Sequence, residues 1–537
     1  MAPDAVIIGA GPNGLVAANA LVDAGWSVVV LEEQPAVGGA VRSDRSVHAD
    51  YIHDTFSTFY PLAAASSTIQ GFRLEDHGLR WVHADAVLGH PQGDGTWAIL
   101  HRDRNVTAAL LEEQTPGDGE AWLALCAEWD RIGDALIGAL LSPFPPLRHG
   151  LRALLTLPSV GGLDFVRTAV APATDLVRTR FRGDAARLLL AGNAGHADIP
   201  LDGSGSGFMG LFMCMLGQTV GFPVPEGGAG ALTQALASRF TSRGGEIRCH
   251  SRVDRILTTS GRAVGVQLAD GERVEAGRAV VADVIASKLY GGLVPEDELP
   301  ARVVRAMRGF TLDAATVKVD WALDRRVPWR QPPPHDPGTV HIADSFSQMS
   351  EALSQVAARA IPAKPFMLAG QMTTTDPTRS PEGTESFWAY THVPQQVERD
   401  AGDGSVRGTW DRDDCERMAD RMQARLEEQA PGFSDRIVAR RVLGPRDMEA
   451  MNANLQGGAI NGGTAQLQQQ LIFRPIPGLG RAETPIRGLY LGSASAHPGG
   501  GVHGAAGMNA ARAALWHHRL GAPRRLLGSG RGAGRPG

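Results

Sequence analysis

The chain has 537 residues, 43% of them hydrophobic and 20% charged, with a formal net charge of −5. That length predicts roughly two to four domains, the composition is that of a globular protein, and the acidic balance excludes the basic surface that a nucleic-acid partner requires. The four cysteines, Cys126, Cys214, Cys249 and Cys415, form no CxxC, which excludes a disulfide-redox centre, a zinc ribbon or a disulfide scaffold, and no metal site is expected.

Residues 5–8 form a short apolar strand, and no leader pattern precedes it because Asp4 interrupts the N-terminus, so a cytoplasmic protein is expected. The turn Gly9-Ala-Gly11-Pro12-Asn13-Gly14 follows, then an Ala-rich helix to Ala24, a second strand over 27–31 and Glu32 at its end. Each piece has a physical job. Gly9 permits the tight turn, Gly11 lets a pyrophosphate reach the backbone, and Gly14 lets helix and strand pack closely. The helix N-terminus offers free N–H groups to phosphates, and Glu32 can accept hydrogen bonds from ribose hydroxyls. A carboxylate there disfavours the 2′-phosphate of NADP. The turn alone allows NAD or FAD. Gly38-Gly39 and Arg42 extend it in the pattern of flavoprotein oxidases and desaturases, which points to FAD. Residues 51–60 are aromatic and carry His53 and Asp54.

The stretch 76–220 reads as mostly helical, broken by prolines at 143–146. Within it, Gly205-Ser-Gly207-Phe-Met-Gly210 spells a second glycine motif, but no strand precedes it and no acid-terminated strand follows. No second nucleotide unit for NAD(P)H is then left. No run of about 18 apolar residues suits a spanning helix. The nearest, 205–222, carries glycines and Gln218 and is expected to be buried core or the wall of a substrate tunnel, with peripheral membrane contact left open. His196 and Asp198 are candidates for the substrate side. The glycine-rich 225–230 turn leads into a helix over 231–243 and short strands at 246–249, 253–258, 263–268, 273–275 and 279–282, with Val253 placed to meet an adenine through its backbone. Residues 291–430 mix strands (316–323, 366–373, 385–391) with helices. A last strand, 488–491, ends in Gly492-Ser493 and runs through His497-Pro-Gly-Gly-Gly501-Val502-His503-Gly504 into a helix over 505–517. That second glycine-rich turn suits the ribityl chain and the pyrimidine edge of a flavin.

The expected fold is therefore α/β. A Rossmann-like FAD-binding domain is assembled from 1–75, 221–290 and 431–520, a mixed α+β substrate domain from 76–220 and 291–430, and 521–537 is a disordered Gly/Arg-rich tail.

Three stretches, VIIGAGPNGLVAANALVDAGWSVVVLEEQPAVGGAVRS, PEGGAGALTQAL and TPIRGLYLGSASAHPGGGVHGAAGMNAA, resemble the phytoene desaturase-like flavoprotein family, in the branch related to pyridine nucleotide-disulfide oxidoreductase domain-containing protein 2. The resemblance implies non-covalent FAD, a separate substrate domain over the flavin, and redox chemistry on a hydrophobic substrate, often carbon–carbon desaturation. Gly492-Ser493 stands where amine oxidases usually carry Gly-Asp, so a carboxylate contact to the ribityl chain is not expected.

Fold and cofactor transfer between such relatives better than reaction does. The expected activity is an FAD-dependent dehydrogenase moving a hydride from an apolar or conjugated small molecule to FAD, with His497, His503 and His53 as candidate bases. A redox-neutral isomerase that uses reduced FAD, and a flavin-binding interaction protein with little turnover, are the alternatives. Substrate, electron acceptor, direction of reaction and oligomeric state stay open.

Overall fold

The computed structural model describes residues 2–528. Strand β1 (Ala5–Ile8) is apolar and buried throughout, as a strand covered on both faces must be. It lies between β2 (Val28–Leu31) and the Ala279–Ala282 strand, with Ala5 opposite both Val28 and Ala279. Glu246–Arg248 pairs outside β2, and Leu489–Leu491 pairs outside Ala279–Ala282, which completes a five-stranded parallel sheet. Alternate residues of each strand serve opposite faces. Ile7 and Val30 pack with Leu15 of helix α1 (Pro12–Asp23), with Leu236 of the Gly230–Ser242 helix and with Ala510 of the Ala505–Gly528 helix. Val6 and Val29 pack against Ile256 and Val266 of a three-stranded antiparallel sheet on the other side. Two glycines make the turn from β1 into α1. Gly9 has φ of +94°, and a Cβ on Gly14 would stand 2.1 Å from the Gly9 carbonyl oxygen.

A second, mostly antiparallel sheet has seven strands, in the order Ile437–Leu443, Ala315–Leu323, Glu385–Val393, Met367–Gln371, Pro337–Ile342, Ala86–Pro91 and Trp97–Leu100. Two of its members depart from the expected layout. Ala86–Pro91 and Trp97–Leu100 lie in the stretch read as mostly helical. They are buried along their whole length, so they show no alternation, and Gly89 and Pro91 mask their strand character. Ile437–Leu443 was expected among the FAD-binding segments but pairs with Ala315–Leu323. It is an edge strand, with Arg440 and Arg441 in its middle and only Val442 and Leu443 buried. At the far end, residues 521–528, expected in the tail, continue the Ala505–Gly528 helix; residues 529–537 lie outside the described residues.

One buried ion cluster ties the segments together. Arg379, from the second insertion, donates to Asp376 Oδ2 (2.7 Å) and to Asp54 Oδ1 (3.0 Å). Asp54 Oδ1 also accepts the Ala229 N–H (2.8 Å), and Asp376 Oδ2 accepts that of Gly227 (2.8 Å). Arg379 and Asp54 have fully buried side chains. Removing one partner of such a cluster leaves a buried charge uncompensated, so Arg379→Ala is expected to cost about 3–5 kcal/mol. The check is a lower denaturant midpoint, monitored by tryptophan fluorescence; an unchanged midpoint would show that the segments are held together elsewhere.

Candidate active site

One cavity of about 1170 Å³ opens at the carboxyl ends of β1, β2 and the Ala279–Ala282 strand, the place where parallel α/β sheets take ligands. Gly9, Gly11, Pro12 and Asn13 line it from the first turn, and Glu32 from the end of β2. Gly39 and Arg42 close over them, Val253 enters from the three-stranded sheet, and Ser493, Gly501, Val502 and His503 enter from the C-terminal motif. Gly14, Gly38 and Gly492 lie behind the wall. Gly38 donates its N–H to the Ala10 carbonyl (2.9 Å), and Gly492 donates to Ala282 (2.9 Å), so both hold the backbone that the lining residues sit on.

The turn is electrostatically prepared. Glu32 is buried and held by two backbone donors, Ala10 N–H to Oε2 (2.7 Å) and Gln34 N–H to Oε1 (2.9 Å). Burial raises its carboxyl above the usual range, against those hydrogen bonds. Asp283, which follows the Ala279–Ala282 strand, accepts the Gly14 N–H on Oδ2 (2.9 Å). Its own carboxyl is raised to about 7, first by burial and further by Glu32. A side chain on Gly11 would place its Cβ 2.8 Å from Asp283 Oδ2, so only glycine leaves this approach to the backbone open. Asn13 Oδ1 is buried with no hydrogen-bond partner among the described residues, and Asn13 lines the cavity. An open backbone cradle, an acid held at the end of β2 and an unpaired amide oxygen fit the ADP half of FAD, and the second glycine turn fits its other end. Arg42 lies over the Phe56 ring (5.1 Å) and donates to the Met451 carbonyl (3.2 Å), joining this rim to the segment after Ile437–Leu443.

None of the three candidate bases presents a free ring nitrogen to this cavity. His53 is fully buried behind it, where Nε2 donates to the Trp321 carbonyl (3.1 Å). His497 also lies outside the lining, its Nε2 donating to the Ser142 carbonyl (3.1 Å), which pins the Ser142–Phe144 loop against the C-terminal motif. His503 does line the cavity, but its Nδ1 accepts the Ala505 N–H (3.0 Å) and the ring also bonds the Gly499 and Gly500 backbone. Burial lowers it to about 4. These rings shape the backbone in their present geometry. Asp198 is likewise occupied, accepting from Thr464 Oγ1 (2.5 Å) and from the Ala465 N–H (2.7 Å). His196 lines the cavity, its Nε2 2.9 Å from Nε2 of His341, and burial lowers it to about 3.

Beyond the dinucleotide turn the walls change character. The Ser206–Thr219 helix contributes Phe208, Met209, Phe212 and Met213, and the seven-stranded sheet contributes Thr316, Lys318, Thr339, Trp388 and Tyr390. The glycine motif spelled at 205–210 is thus a helix start, with Gly205 as its N-cap and no strand before it. Lys318 is buried. Its Nζ donates to the Asp54 carbonyl (2.9 Å) and pairs with Asp320, 5.8 Å from the Trp388 ring centre. Burial lowers its ammonium, with Asp320 opposing. Asp283, Lys318 and the Trp388–Tyr390 stack are the lining groups that the chain order hides. Their signals were an acid at a strand end and one of three lysines, set in a strand that is apolar apart from Thr316, Lys318 and Asp320.

Residues 7–87 match the model of NAD(P)-binding Rossmann-like domains, and residues 161–383 that of flavin containing amine oxidoreductases. The chain is 30% identical to pyridine nucleotide-disulfide oxidoreductase domain-containing protein 2 of Mus musculus over 95% of its length and 92% of that protein. It is 26% identical to a phytoene desaturase (lycopene-forming) of Pseudescherichia vulneris, over 95% and 98%. A putrescine oxidase solved with putrescine shares the fold, with a TM-score of 0.61 at 16% identity, over 97% and 99% of the two chains. Fold, site and relatives define an FAD-dependent oxidoreductase. The chain belongs to the phytoene desaturase-like flavoprotein family, in the branch of pyridine nucleotide-disulfide oxidoreductase domain-containing protein 2.

Glu32→Ala removes two charge-assisted acceptors and should weaken FAD binding about 10- to 100-fold, read by fluorescence titration of the apoprotein. Asp283 is neutral below about pH 7 and an anion above it. FAD affinity should therefore fall as pH rises through that value, because the anion stands beside the turn that takes the phosphates. Asp283→Asn should flatten the dependence while keeping the acceptor for Gly14; a full slope in that variant would assign the titration to another group.

Proposed function

We propose that the protein is a dehydrogenase or desaturase that moves a hydride from a hydrophobic or conjugated small molecule to FAD. One observation carries the proposal: the cavity that begins at the dinucleotide turn continues into a chamber whose walls, from the Ser206–Thr219 helix and the seven-stranded sheet, are mostly apolar and aromatic, with Lys318, Thr316 and Thr339 among them, and hold no carboxylate. Its volume of about 1170 Å³ exceeds the roughly 300–1,000 Å³ of most small-molecule sites, which suits a cofactor and a substrate in one space. A cationic amine would meet Lys318 there and no counter-charge, so the chemistry of the walls favours a neutral substrate over an ammonium ion. In this scheme residues 1–75, 221–290 and 431–520 without the Ile437–Leu443 strand hold FAD, and 76–220, 291–430 and that strand form the substrate domain.

Bound FAD supplies a hydride acceptor, and the chain supplies placement and electrostatics. Phe208, Phe212 and Phe222 exclude water from the chamber, and Trp388 and Tyr390, stacked at 6.0 Å, offer a flat surface for a conjugated chain. Lys318 is a fixed cation in the chamber wall, able to stabilise negative charge that develops there.

Anaerobic mixing tests the proposal. A conjugated terpenoid should bleach the visible flavin absorbance and yield a product lighter by two hydrogens, one passed to FAD as hydride and one lost to solvent as a proton, whereas an aliphatic primary amine should not. Bleaching by the amine alone would overturn the proposal. A product of unchanged mass that needs a reductant without consuming it would favour the isomerase. Lys318→Met should slow the bleaching by roughly two orders of magnitude with unchanged flavin content.

A further inference from the structure

Asp85, His101 and His335 meet at one end of the seven-stranded sheet, and none of them lines the active-site cavity. The strand register brings them together. Ala86 stands opposite Pro337 in a parallel pair, and Leu88 stands opposite Leu100 in an antiparallel one. Asp85 leads into the Ala86–Pro91 strand, His101 follows Trp97–Leu100, and His335 precedes Pro337–Ile342. The Ala86 N–H donates to the Asp336 carbonyl (3.0 Å), which fixes two of the strand starts to each other. Pro332, Pro333, Pro334 and Pro337 stiffen the chain on both sides of His335.

The Asp85 carboxylate stands between the two rings. Its Oδ2 accepts from His335 Nδ1 (3.0 Å), and its Oδ1 is 4.0 Å from His101 Nε2. The ring centres are 5.0 Å apart. One ligand atom from each residue lies within 4.8 Å of the other two. A tetrahedral zinc ion with bonds of about 2.0–2.2 Å holds its ligands roughly 3.4 Å apart, so side-chain torsions of the order of 1 Å close the set on an ion. The side chains of His101, His335 and Asp85 are 19%, 31% and 57% exposed, so an ion can enter while the rings stay held.

The donor set selects the ion. Among the described residues no lysine or arginine pairs with Asp85, whose partners are the two histidines. Arg102 is next to His101 in the chain, but its side chain runs beside Gly221. Two imidazoles and a carboxylate suit zinc, whereas magnesium and calcium take oxygen ligands. Asp85 and His101 also line an open groove with Gln218 and Thr219, which leaves room for water as a further ligand. Three protein ligands and an open position make an accessible site, not a closed one. His101 Nδ1 accepts the Asp103 N–H (3.0 Å), which leaves the ring proton on Nε2. An ion at Nε2 moves that proton to Nδ1 and ends the Asp103 bond, a cost that keeps binding reversible.

We propose that Asp85, His101 and His335 bind a zinc ion that clips the Ala86–Leu100 hairpin of the first insertion to the second insertion. The ligands lie as far as 250 positions apart, so no short spacing marks the site in the chain. The site is independent of the flavin chemistry assigned above. The FAD-loaded full chain, untagged and freed of metal by a chelator, is titrated with zinc chloride by isothermal calorimetry. The wild type should bind one ion and melt at a higher temperature with zinc than without. Cobalt(II) in its place should give the visible absorption of a four- or five-coordinate centre, and magnesium should not compete. H101A/H335A should lose the ion with flavin content unchanged. Should that variant not fold, H335Q and D85N, at the more exposed ligands, decide: each should weaken zinc by at least about tenfold. A wild type that takes up no stoichiometric zinc, or folded variants that bind it as tightly as the wild type, would overturn the proposal.

Discussion

The site depends on β1 being held in parallel register between β2 and the Ala279–Ala282 strand. Because all three run the same way and end at the same level, their following residues converge: Gly9 to Gly14 from one, Glu32 from another, Asp283 from the third. Strand pairing therefore does more than stabilise a core. It gathers the turn and two carboxylates from positions more than two hundred residues apart into one cradle. The glycines then have little freedom: Gly14 is held by the Gly9 carbonyl behind it, and Gly11 by the Asp283 carboxylate beside it.

The second consequence is a chamber built from another sheet. The Asp54–Arg379–Asp376 cluster fixes the seven-stranded sheet against the glycine turn at 227–229, so the apolar walls continue the cofactor cavity. The same strand that carries Lys318 into the wall carries Asp320, which pairs with both Lys318 and Arg441. Lys318 alone carries charge into the chamber wall; Asp320 and Arg441, its charged neighbours, stand paired behind it, and most of the chamber surface is apolar.

Local features were legible in the chain order and long-range ones were not. The first turn, its helix and Glu32 can be read because a glycine motif needs only its immediate neighbours. Gly205–Gly210 could be set aside for the same reason, since it lacks the strand that gives such a motif meaning. Asp283 could not be read as a site residue, because its contact with Gly14, 269 positions away, exists only once β1 and the Ala279–Ala282 strand have paired. His53 misled in the opposite sense. A polar residue in an aromatic run looks poised for chemistry, but the fold turns its ring onto the Trp321 carbonyl. Ala86–Pro91 and Trp97–Leu100 escaped because burial on both faces erases the alternation by which strands are recognised.

A structure determined with FAD bound tests the central claim most directly. The account predicts the ribose beside Glu32, the pyrophosphate over Gly11 to Asn13 and the flavin ring beside Gly500 to Val502, with one face open to the chamber of Phe212, Trp388 and Tyr390. Density for FAD elsewhere, or a flavin ring sealed from that chamber, would contradict it.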